Sequence, residues 1–375
     1  MSKPLTIGVV ANTAFNLYNF RLGLIKALQA EGYHVLAIAP TDEYADLLKE
    51  QGITFVEVKK LARKGTNPFN DFMLMNELRN IYKKNKIDAV LQYTIKPNIY
   101  GTLAARFTGT KTICTVTGLG YTFLNKSTAS RVAHALYRFA FSFADKVLFQ
   151  NTDDLEMFVH NRLVNREKTL LVPGSGIDTQ KFTPEYCTAP HTPTATVRFL
   201  MIGRLLRDKG IYEYVAAARK MREEGIHATF HLLGDIDRDN PTAIRQEELQ
   251  AWIQEEVIRY EGYAKDIRPF ICEADCLVLP SYREGMPRVI LEGMAMGKPC
   301  VTTDAPGCKD AVVDGQTGFL CKTANADSLY EMLKKFVLLD IKTRILFGKN
   351  ARERAESLFS TETIKMIYIK ILRNL

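Results

Sequence analysis

Short apolar segments alternate with amphipathic ones along nearly the whole of this 375-residue chain, and no other feature limits its fold as strongly. The first apolar segment, residues 5–11, has the length of a strand, and the segment at 20–30 has the length and spacing of a helix. Strands that are apolar on both faces have to be covered on both, as they are in a parallel sheet flanked by helices. The alternation therefore predicts an α/β fold built on doubly wound parallel sheets.

The alternation is interrupted once, by a stretch rich in proline and threonine between residues 183 and 193. Such a stretch indicates a linker, and the chain is long enough to bury two separate cores. We expect one domain at 1–185, a second at 194–357 and a final helix at 358–375. The predicted strands are 5–11, 35–39, 54–58, 89–92, 112–116, 146–150 and 169–172 before the linker, and 197–202, 229–233, 257–260, 276–279 and 300–303 after it. The predicted helices are 20–30, 43–50, 69–84, 99–107, 129–143 and 153–160 in the first half, and 212–224, 243–256, 266–272, a helix from 287, 328–338, 343–357 and 362–372 in the second.

Composition places the chain among ordinary globular proteins. Charged residues make up 25% and apolar residues 46%, and no apolar stretch reaches the roughly 18 residues that a membrane span needs. The apolar segment at the start is too short for a signal sequence. The seven cysteines include no Cys-x-x-Cys pair, and the six histidines form no metal-ligand pair within one site. We therefore expect reduced, buried thiols in a cytosolic protein, without a disulfide or a zinc site.

The net charge of +8 is concentrated in the first half of the chain. Residues 1–190 hold 23 lysines and arginines against 16 acidic residues, whereas the remainder holds 27 against 26. A positive excess in one half suits an acidic partner for that half, such as an anionic lipid, a lipid diphosphate or a nucleic acid, although a solvated basic surface would give the same count. Because no nucleic-acid-binding motif is present, we expect no nucleic-acid partner.

Two carboxylates lie close together after one predicted strand of the second half. Pro287 stands where a helix would begin, and that helix is apolar on nearly all sides apart from Glu292. A buried carboxylate needs hydrogen-bond donors. They could come from Arg288, one turn back, in an ordinary ion pair, or from the ribose hydroxyls of a bound nucleotide. Glu284 stands before the helix beside Gly285, where backbone amides and the positive end of the helix could hold an anion.

A group of cations follows the predicted strand at 197–202. Gly203 and Arg204 leave the strand, and Lys209 comes five residues after Arg204, before a helix. Two fixed cations beside a strand end could neutralise a diphosphate without a metal ion, whereas a basic surface loop would have the same sequence. On the first interpretation we expect neither a metal ion nor another cofactor.

Glu284 and Glu292, flanked by Pro280-Ser281 and by Gly297-Lys298-Pro299, resemble the signature of the retaining family-4 glycosyltransferases. The resemblance implies the GT-B architecture, in which two Rossmann-like domains face each other across a cleft and the last helix crosses back to the first domain. It also implies that Glu284 meets the donor sugar while Arg204 and Lys209 contact the donor phosphates, and these three are the predicted catalytic residues. The predicted donor-binding residues are Gly203, Arg204, Lys209, Gly262, Tyr263, Glu284, Gly285, Met286, Pro287 and Glu292.

The first domain is where the resemblance places the acceptor. The loop after the first strand is rich in asparagine and aromatic residues, and it lacks the dinucleotide-binding fingerprint, which argues against an NAD domain. It also lacks a Gly-Gly pair that many relatives carry. Many relatives have a histidine where this chain has Thr117 or Gly118, so we expect the leaving phosphate, and no histidine there, to take the acceptor's proton. The predicted acceptor-binding residues are Asn16, Asn19, Arg21, Lys96, Asn98, Thr117, Gly118 and Gly120.

The sequences Asn-Leu-Tyr-Asn-Phe-Arg, Lys-Pro-Asn and Thr-Gly-Leu-Gly resemble a narrower group. Its members are bacterial transferases that add N-acetylhexosamine, N-acetylgalactosamine among them, or hexose to sugars on undecaprenyl diphosphate. The resemblance implies a metal-independent retaining enzyme that uses a UDP-sugar and a polyprenyl-diphosphate-linked acceptor in surface-glycan or glycoprotein-glycan assembly. Such an enzyme would be cytoplasmic and peripheral at the inner face of the cell membrane, on an anionic membrane surface. Two other functions stay open: a non-catalytic GT-B nucleotide-sugar-binding protein, and an enzyme like the UDP-GlcNAc 2-epimerases.

Overall fold

The computed structural model describes residues 4–61, 67–119, 128–187 and 196–375. They form two compact units: one joins Met1–Gly176 with Thr361–Leu375, and the other is Ile177–Ser360. Each unit holds one parallel sheet. The prediction of an α/β fold with doubly wound sheets is confirmed.

The sheet of the first unit consists of seven strands: β1 (Thr6–Val10), β2 (His34–Ala39), β3 (Thr54–Glu57), β4 (Ala89–Tyr93), β5 (Lys111–Val116), β6 (Lys146–Phe149) and β7 (Thr169–Leu171). They are parallel and lie in the order β3-β2-β1-β4-β5-β6-β7. Residues of β1 enter different cores, because Ile7 and Val9 pack towards one set of helices and Val10 towards another. Helices therefore cover both faces. The helices are α1 (Ala14–Ala30), α2 (Tyr44–Glu50), α3 (Pro68–Lys84), α4 (Thr102–Arg106, preceded by a π-helical turn at Pro97–Gly101), α5 (Thr128–Phe143) and α6 (Thr152–His160).

Helix α1 begins six residues earlier than predicted. The side chain of Thr13 accepts a hydrogen bond from the backbone N–H of Asn16 at 3.1 Å and so caps the helix. Asparagine and aromatic residues within the first turns led us to predict a loop there, but the cap stabilises a helix in spite of them. Most of the predicted acceptor loop is therefore helical.

The sheet of the second unit consists of six strands: β8 (Val197–Ile202), β9 (Ala228–Leu233), β10 (Arg259–Gly262), β11 (Cys276–Leu279), β12 (Cys300–Thr303) and β13 (Gly318–Cys321). They are parallel and lie in the order β10-β9-β8-β11-β12-β13. The helices are α7 (Ile211–Glu223), α8 (Gln246–Gln254), α9 (Arg268–Glu273), α10 (Arg288–Ala295), α11 (Cys308–Ala311), α12 (Ala326–Val337) and α13 (Ile341–Arg354). The prediction missed β13 and α11, each of only four residues, and placed β10 two residues too early.

The last helix, α14 (Thr361–Arg373), belongs to the first unit. Ile364, Tyr368 and Leu372 are buried in the same core as residues of α1 and β1. The hydroxyl groups of Tyr368 and Thr115 lie 3.0 Å apart, which ties α14 to the end of β5. No helix within the described ranges is long and apolar enough to cross a membrane.

The expectation that all cysteines are reduced was wrong. Cys187 and Cys272 form a disulfide with their Cα atoms 5.6 Å apart, and both belong to the second unit. They are separated by 85 residues in the chain, so no local spacing pattern in the sequence announces the pair. The other five cysteines are free and buried, as predicted.

Candidate functional site

The strand order of each sheet reverses at one pair of neighbours, β1 and β4 in the first unit and β8 and β11 in the second. Loops that leave the carboxyl ends of such a pair diverge, and doubly wound sheets bind ligands in the crevice between them. The predicted donor residues lie after β8, β10 and β11, and several predicted acceptor residues lie after β1 and β4. Each set thus includes the switch point of its own sheet.

Two of the predicted catalytic residues contact each other in the second unit. The Lys209 ammonium forms an ion pair with the Glu284 carboxylate, and the two side chains are only 22% and 16% exposed. Lys209 ends a short 3₁₀ turn, while the backbone N–H of Glu284 donates to the carbonyl of Pro306 at 3.0 Å. A Cβ at Gly307, which has a φ of +80°, would lie 2.3 Å from the Glu284 carbonyl oxygen. The Glu284 loop is therefore held closely against the loop that follows β12.

The third predicted catalytic residue, Arg204, has a different partner. Its guanidinium is exposed and donates to Asp237 at 2.7 Å. Gly203 and Gly234 lie in close contact, since a Cβ at Gly234 would come within 1.8 Å of the Gly203 carbonyl oxygen. This contact brings the loop after β9, which carries Asp237, against the loop after β8. Sequence reasoning missed Asp237, although the alternating acidic residues of its loop were a visible signal.

Gly262 is the last residue of β10, and Tyr263 follows it. The Gly262 carbonyl accepts a hydrogen bond from the N–H of Gly234 at 2.7 Å, and Gly262 has a φ of +73°. Tyr263 is exposed. This glycine therefore makes a turn that joins three strand ends, and the tyrosine side chain beside it is accessible to a ligand.

Glu292 has the ordinary ion pair that we considered as one of two interpretations. Arg288 Nε donates to Glu292 Oε1 at 2.8 Å within α10. Burial raises the pKa of Glu292 above its ordinary value, and Arg288 offsets part of that rise. The pair is compatible with ribose binding, because one carboxylate can accept several hydrogen bonds. Pro287 is the buried N-cap of α10, with half-buried Gly285 and Met286 just before it.

Tyr282 and Glu213 form a further contact that the sequence did not suggest. The Tyr282 hydroxyl donates to Glu213 Oε1 at 2.7 Å, which links the loop after β11 to α7. Burial, and then Glu213, raises the pKa of Tyr282 to about 12. The hydroxyl therefore stays protonated near neutral pH and remains a donor. Its role is to fix the loop that carries Glu284.

Arg21 is the most buried of the predicted acceptor residues with a charge. Only 4% of the residue is exposed, and its guanidinium carbon lies 3.9 Å from the centroid of the Tyr93 ring. Asn16 and Asn19 are half-buried on the first turns of the same helix, and Asn19 Nδ2 donates to the Phe15 carbonyl at 3.1 Å. These three residues are thus brought together by α1.

Lys96 and Asn98 make internal contacts in the first unit. Lys96 Nζ lies 2.9 Å from Asp71 Oδ1, and Asn98 Nδ2 donates to the Thr115 carbonyl at 2.9 Å. Asp71 lies 25 residues before Lys96, so no local sequence pattern indicates the pair. These contacts position the turn after β4 and the end of β5.

The predicted Thr-Gly-Leu-Gly loop follows β5. Thr117 and Gly118 are half-buried, and Gly118 has a φ of +123°, a conformation that favours glycine. The predicted residue Gly120 lies outside the described residues. Over the described ranges, no group of three His, Cys, Asp or Glu side chains is arranged to hold a metal ion.

Two doubly wound parallel-sheet domains in one chain are the components of the GT-B fold of glycosyltransferases. Solved structures with this fold match closely: a glycosyltransferase from Rickettsia africae has a TM-score of 0.80 at 20% identity, over 100% of this chain and 99% of that one. The Anabaena protein HepE, crystallised in complex with UDP, has a TM-score of 0.79 at 20% identity over 100% of both chains.

The sequence itself identifies the family. Residues 7–151 match the model described as "Glycosyl transferase 4-like", and residues 196–337 match "Glycosyl transferases group 1". The chain is 30% identical, over 98% of its length and 99% of the relative, to the N,N'-diacetylbacillosaminyl-diphospho-undecaprenol alpha-1,3-N-acetylgalactosaminyltransferase of Campylobacter jejuni. It is 26% identical, over 81% of each chain, to the UDP-Gal:alpha-D-GlcNAc-diphosphoundecaprenol alpha-1,3-galactosyltransferase of Escherichia coli. The chain therefore belongs to this family of glycosyltransferases.

Proposed function

We propose that this glycosyltransferase moves a sugar of the N-acetylhexosamine class from a UDP-sugar to a saccharide carried on a polyprenyl diphosphate. The observation that carries the proposal is the 30% identity over nearly the whole chain to an enzyme named for an undecaprenol-diphosphate-linked acceptor. A second relative is named for UDP-galactose and for an acceptor of the same kind. The acceptor class is therefore common to two relatives whose names give different sugars.

In the proposed reaction, the second unit binds the donor. Arg204 and Lys209 neutralise the charge that builds up on the UDP diphosphate as the glycosidic bond breaks, without a metal ion. Glu284 contacts the donor sugar, and Glu292 accepts from the ribose hydroxyls. Because Lys209 is paired with Glu284 in the structure, donor binding would move the ammonium from the carboxylate towards the phosphates.

The proposed chemistry retains the anomeric configuration. The leaving phosphate oxygen takes the proton of the attacking acceptor hydroxyl on the same face of the sugar, so no protein base is required. In the first unit, Asn16, Asn19, Thr117 and Gly118 contact the acceptor. Lys96 and Asn98 act through the internal contacts that shape the loops after β4 and β5.

We also propose that the first unit lies on the cytoplasmic face of an anionic membrane. Arginine side chains lie over aromatic rings of neighbouring helices: Arg79 lies 5.6 Å from the centroid of the exposed Phe107 ring, and Arg106 lies 4.7 Å from that of the half-buried Phe143 ring. Phe107 is 64% exposed and Phe139, which packs on Phe143, is 56% exposed. Basic and aromatic groups side by side suit a lipid headgroup region.

The activity is tested with a panel of UDP-sugars and two acceptors, a polyprenyl-diphosphate-linked N-acetylhexosamine and the same sugar free in solution. We expect transfer to the lipid-linked acceptor, an α-linked product from an α-linked donor by NMR, and full activity in EDTA. Lys209→Ala should lose activity. The control is Arg207→Ala, which should keep it; Arg207 is a cation of the same loop, and its guanidinium carbon lies 5.9 Å from the centroid of the Tyr212 ring. Equal transfer to both acceptors would refute the acceptor class, and an epimerised UDP-sugar formed without acceptor would identify an epimerase.

Membrane binding is tested by sedimentation with vesicles. The protein should sediment with anionic vesicles at low salt and be released at high salt, and Phe107→Ser with Phe139→Ser should weaken binding. Leu338→Ser is a matched control, because Leu338 is an exposed apolar residue of the second unit. Equal binding to neutral and anionic vesicles would refute the electrostatic part of the proposal.

A further inference from the structure

Arg21 is only 4% exposed, and within the described ranges no acidic side chain pairs with it. Among the same residues, the Arg21 guanidinium stacks on the Tyr93 ring, and its Nε is buried without a hydrogen-bond acceptor. Removing a guanidinium from water is costly unless an anion or several acceptors replace the water. A cation–π contact returns only part of that cost. The arrangement is therefore incomplete as it stands.

The surroundings of Arg21 contain more polar atoms in the same state. The hydroxyl oxygens of Tyr93 and Thr94 are both buried without a partner at hydrogen-bond distance and angle, although the Tyr368 hydroxyl lies beside that of Tyr93. Thr94 also has a φ of +71°, a left-handed conformation that costs free energy in a β-branched residue. Unpaired buried polar atoms are rare in native structures, and three of them on adjacent residues or in direct contact indicate a place that can bind a polar ligand.

The position of this cluster supports the same conclusion. Tyr93 is the last residue of β4, and α1, which carries Arg21, begins after β1. These strands are direct neighbours, with Val10 opposite Gln92, and the strand order of the sheet reverses between them. The cluster therefore lies at the switch point of the first unit, where a doubly wound sheet binds ligands.

The chemistry of the cluster favours an anion with several oxygens. A guanidinium has only donors, arranged in a fork that matches phosphate oxygens. Burial raises the pKa of Tyr93 well above its ordinary value, and Tyr368 beside it adds to the rise. The Tyr93 hydroxyl therefore keeps its proton and can donate. Three groups that can each donate, one of them a cation, suit a phosphate better than a neutral sugar.

We propose that Arg21, with the hydroxyls of Tyr93 and Thr94, binds the diphosphate that links the acceptor saccharide to its polyprenyl carrier. This inference rests on the proposed function, which supplies a diphosphate on the acceptor. On this proposal Arg21 binds the phosphate, and Asn16 and Asn19 on the same helix bind the adjoining sugar. It also adds Tyr93 and Thr94 to the residues that select the acceptor.

A second buried arginine in the chain provides a matched control. Arg344 is also stacked on an aromatic ring, that of Phe336 at 5.6 Å, and two of its nitrogens likewise lack acceptors. However, it donates to the Val337 carbonyl, where α12 ends, and so has an acceptor that a helix end supplies. Arg344 is therefore a structural residue of the second unit.

The first test is thermal unfolding of the full chain with UDP alone, and with pyrophosphate, farnesyl diphosphate or sulfate added to saturating UDP, which occupies the proposed diphosphate site of the second unit. The wild type should be stabilised by pyrophosphate and more strongly by farnesyl diphosphate, and sulfate at equal ionic strength should have a smaller effect. Arg21→Gln should unfold at or above the wild-type temperature without ligand and should lose the shifts with both diphosphates, yet keep the shift with UDP. Arg344→Gln should unfold at a lower temperature and keep every ligand shift.

The second test is kinetic and separates the diphosphate from the saccharide. For the lipid-diphosphate acceptor, Arg21→Gln should raise KM about ten-fold or more, and Arg21→Lys, which keeps the charge but loses the fork, should raise it less. For an alkyl glycoside of the same saccharide, which has no phosphate, the KM values of wild type and Arg21→Gln should agree.

Three outcomes would overturn the inference. They are a wild type that neither diphosphate stabilises more than sulfate, an Arg21→Gln variant that keeps the diphosphate shifts, and equal losses on both acceptors. In each of these cases the proposed function would still stand if UDP stabilises the wild type and the wild type transfers sugar. Absence of any UDP shift and of any transfer would refute the function itself.

Discussion

The Lys209–Glu284 ion pair leads to a prediction about donor affinity. Glu284→Gln removes the negative charge and keeps the shape of the side chain, so Lys209 no longer has to leave a carboxylate in order to meet the UDP phosphates. At contact distance and an effective dielectric constant near 20, a pair has a Coulomb energy of about 4 kcal/mol. Desolvation offsets most of this for a pair as little exposed as this one, at 22% and 16%, and leaves a net value of about 1–2 kcal/mol. We therefore expect Glu284→Gln to bind UDP roughly five- to thirty-fold more tightly while it transfers sugar more slowly.

Calorimetric titration with UDP, in a double-mutant cycle with Lys209→Met, measures this effect. Lys209→Met should weaken UDP binding, and adding Glu284→Gln to that variant should change the affinity little, because the pair no longer exists. The cycle uses UDP alone, so loss of a contact between Glu284 and the donor sugar does not enter the result. Weaker UDP binding by Glu284→Gln, or an equal effect with and without Lys209, would show that the pair does not compete with the phosphates.

Three further predictions concern other contacts. Glu292→Ala should weaken UDP binding by roughly 1–3 kcal/mol if ribose hydroxyls donate to it, and unchanged calorimetric affinity would leave only the ion pair with Arg288. Burial lowers the pKa of Lys298 from 10.5 to about 8, so the unfolded chain binds this proton more tightly than the folded chain does. Between pH 8 and pH 10.5 the free energy of unfolding of the wild type should therefore rise by up to roughly 3 kcal/mol relative to that of Lys298→Met, as measured by urea titrations. Parallel pH profiles of the two proteins would contradict this. Cys187→Ser should lower the free energy of unfolding by up to about 4 kcal/mol, because the disulfide closes a loop of 85 residues. Dithiothreitol should destabilise the wild type by the same amount and should leave the variant unchanged. A wild type whose stability does not change with the reductant would refute a stabilising role of the disulfide.

The sequence predicted the sheets because their strands are apolar on both faces. Segments such as residues 35–39 are apolar throughout and have to be buried, and the helical spacing of the apolar residues between such segments predicts the helices. β13 and α11 escaped prediction since four residues give too little periodicity. The start of α1 escaped it as well, because the hydrogen bond from Thr13 outweighs the low helix propensity of the asparagines that follow.

Those parts of the candidate site that lie in short sequence motifs were predictable, whereas the contacts between residues distant in the chain were not. Glu284 and Lys209 stand in recognisable loops, but their contact across 75 residues becomes visible only in the structure. The partners of Lys96 and Arg204, Asp71 and Asp237, are likewise distant in the chain. Arg21 was predicted to bind the acceptor from its place after the first strand, but only its contact with Tyr93 of β4 revealed that it is buried.

The course of the chain has a consequence for how the protein is made. The first unit is interrupted after Gly176 and is completed by Thr361–Leu375, so residues synthesised after the whole second unit close the core of the first. During translation, the second unit can fold to completion while the surface later covered by Ile364, Tyr368 and Leu372 is still open. Exposed apolar surface of this kind attracts other nascent chains and chaperones. A stop codon or a stalled ribosome near residue 360 would thus spare the unit that holds Lys209 and Glu284 and leave the unit that holds Arg21 unfinished.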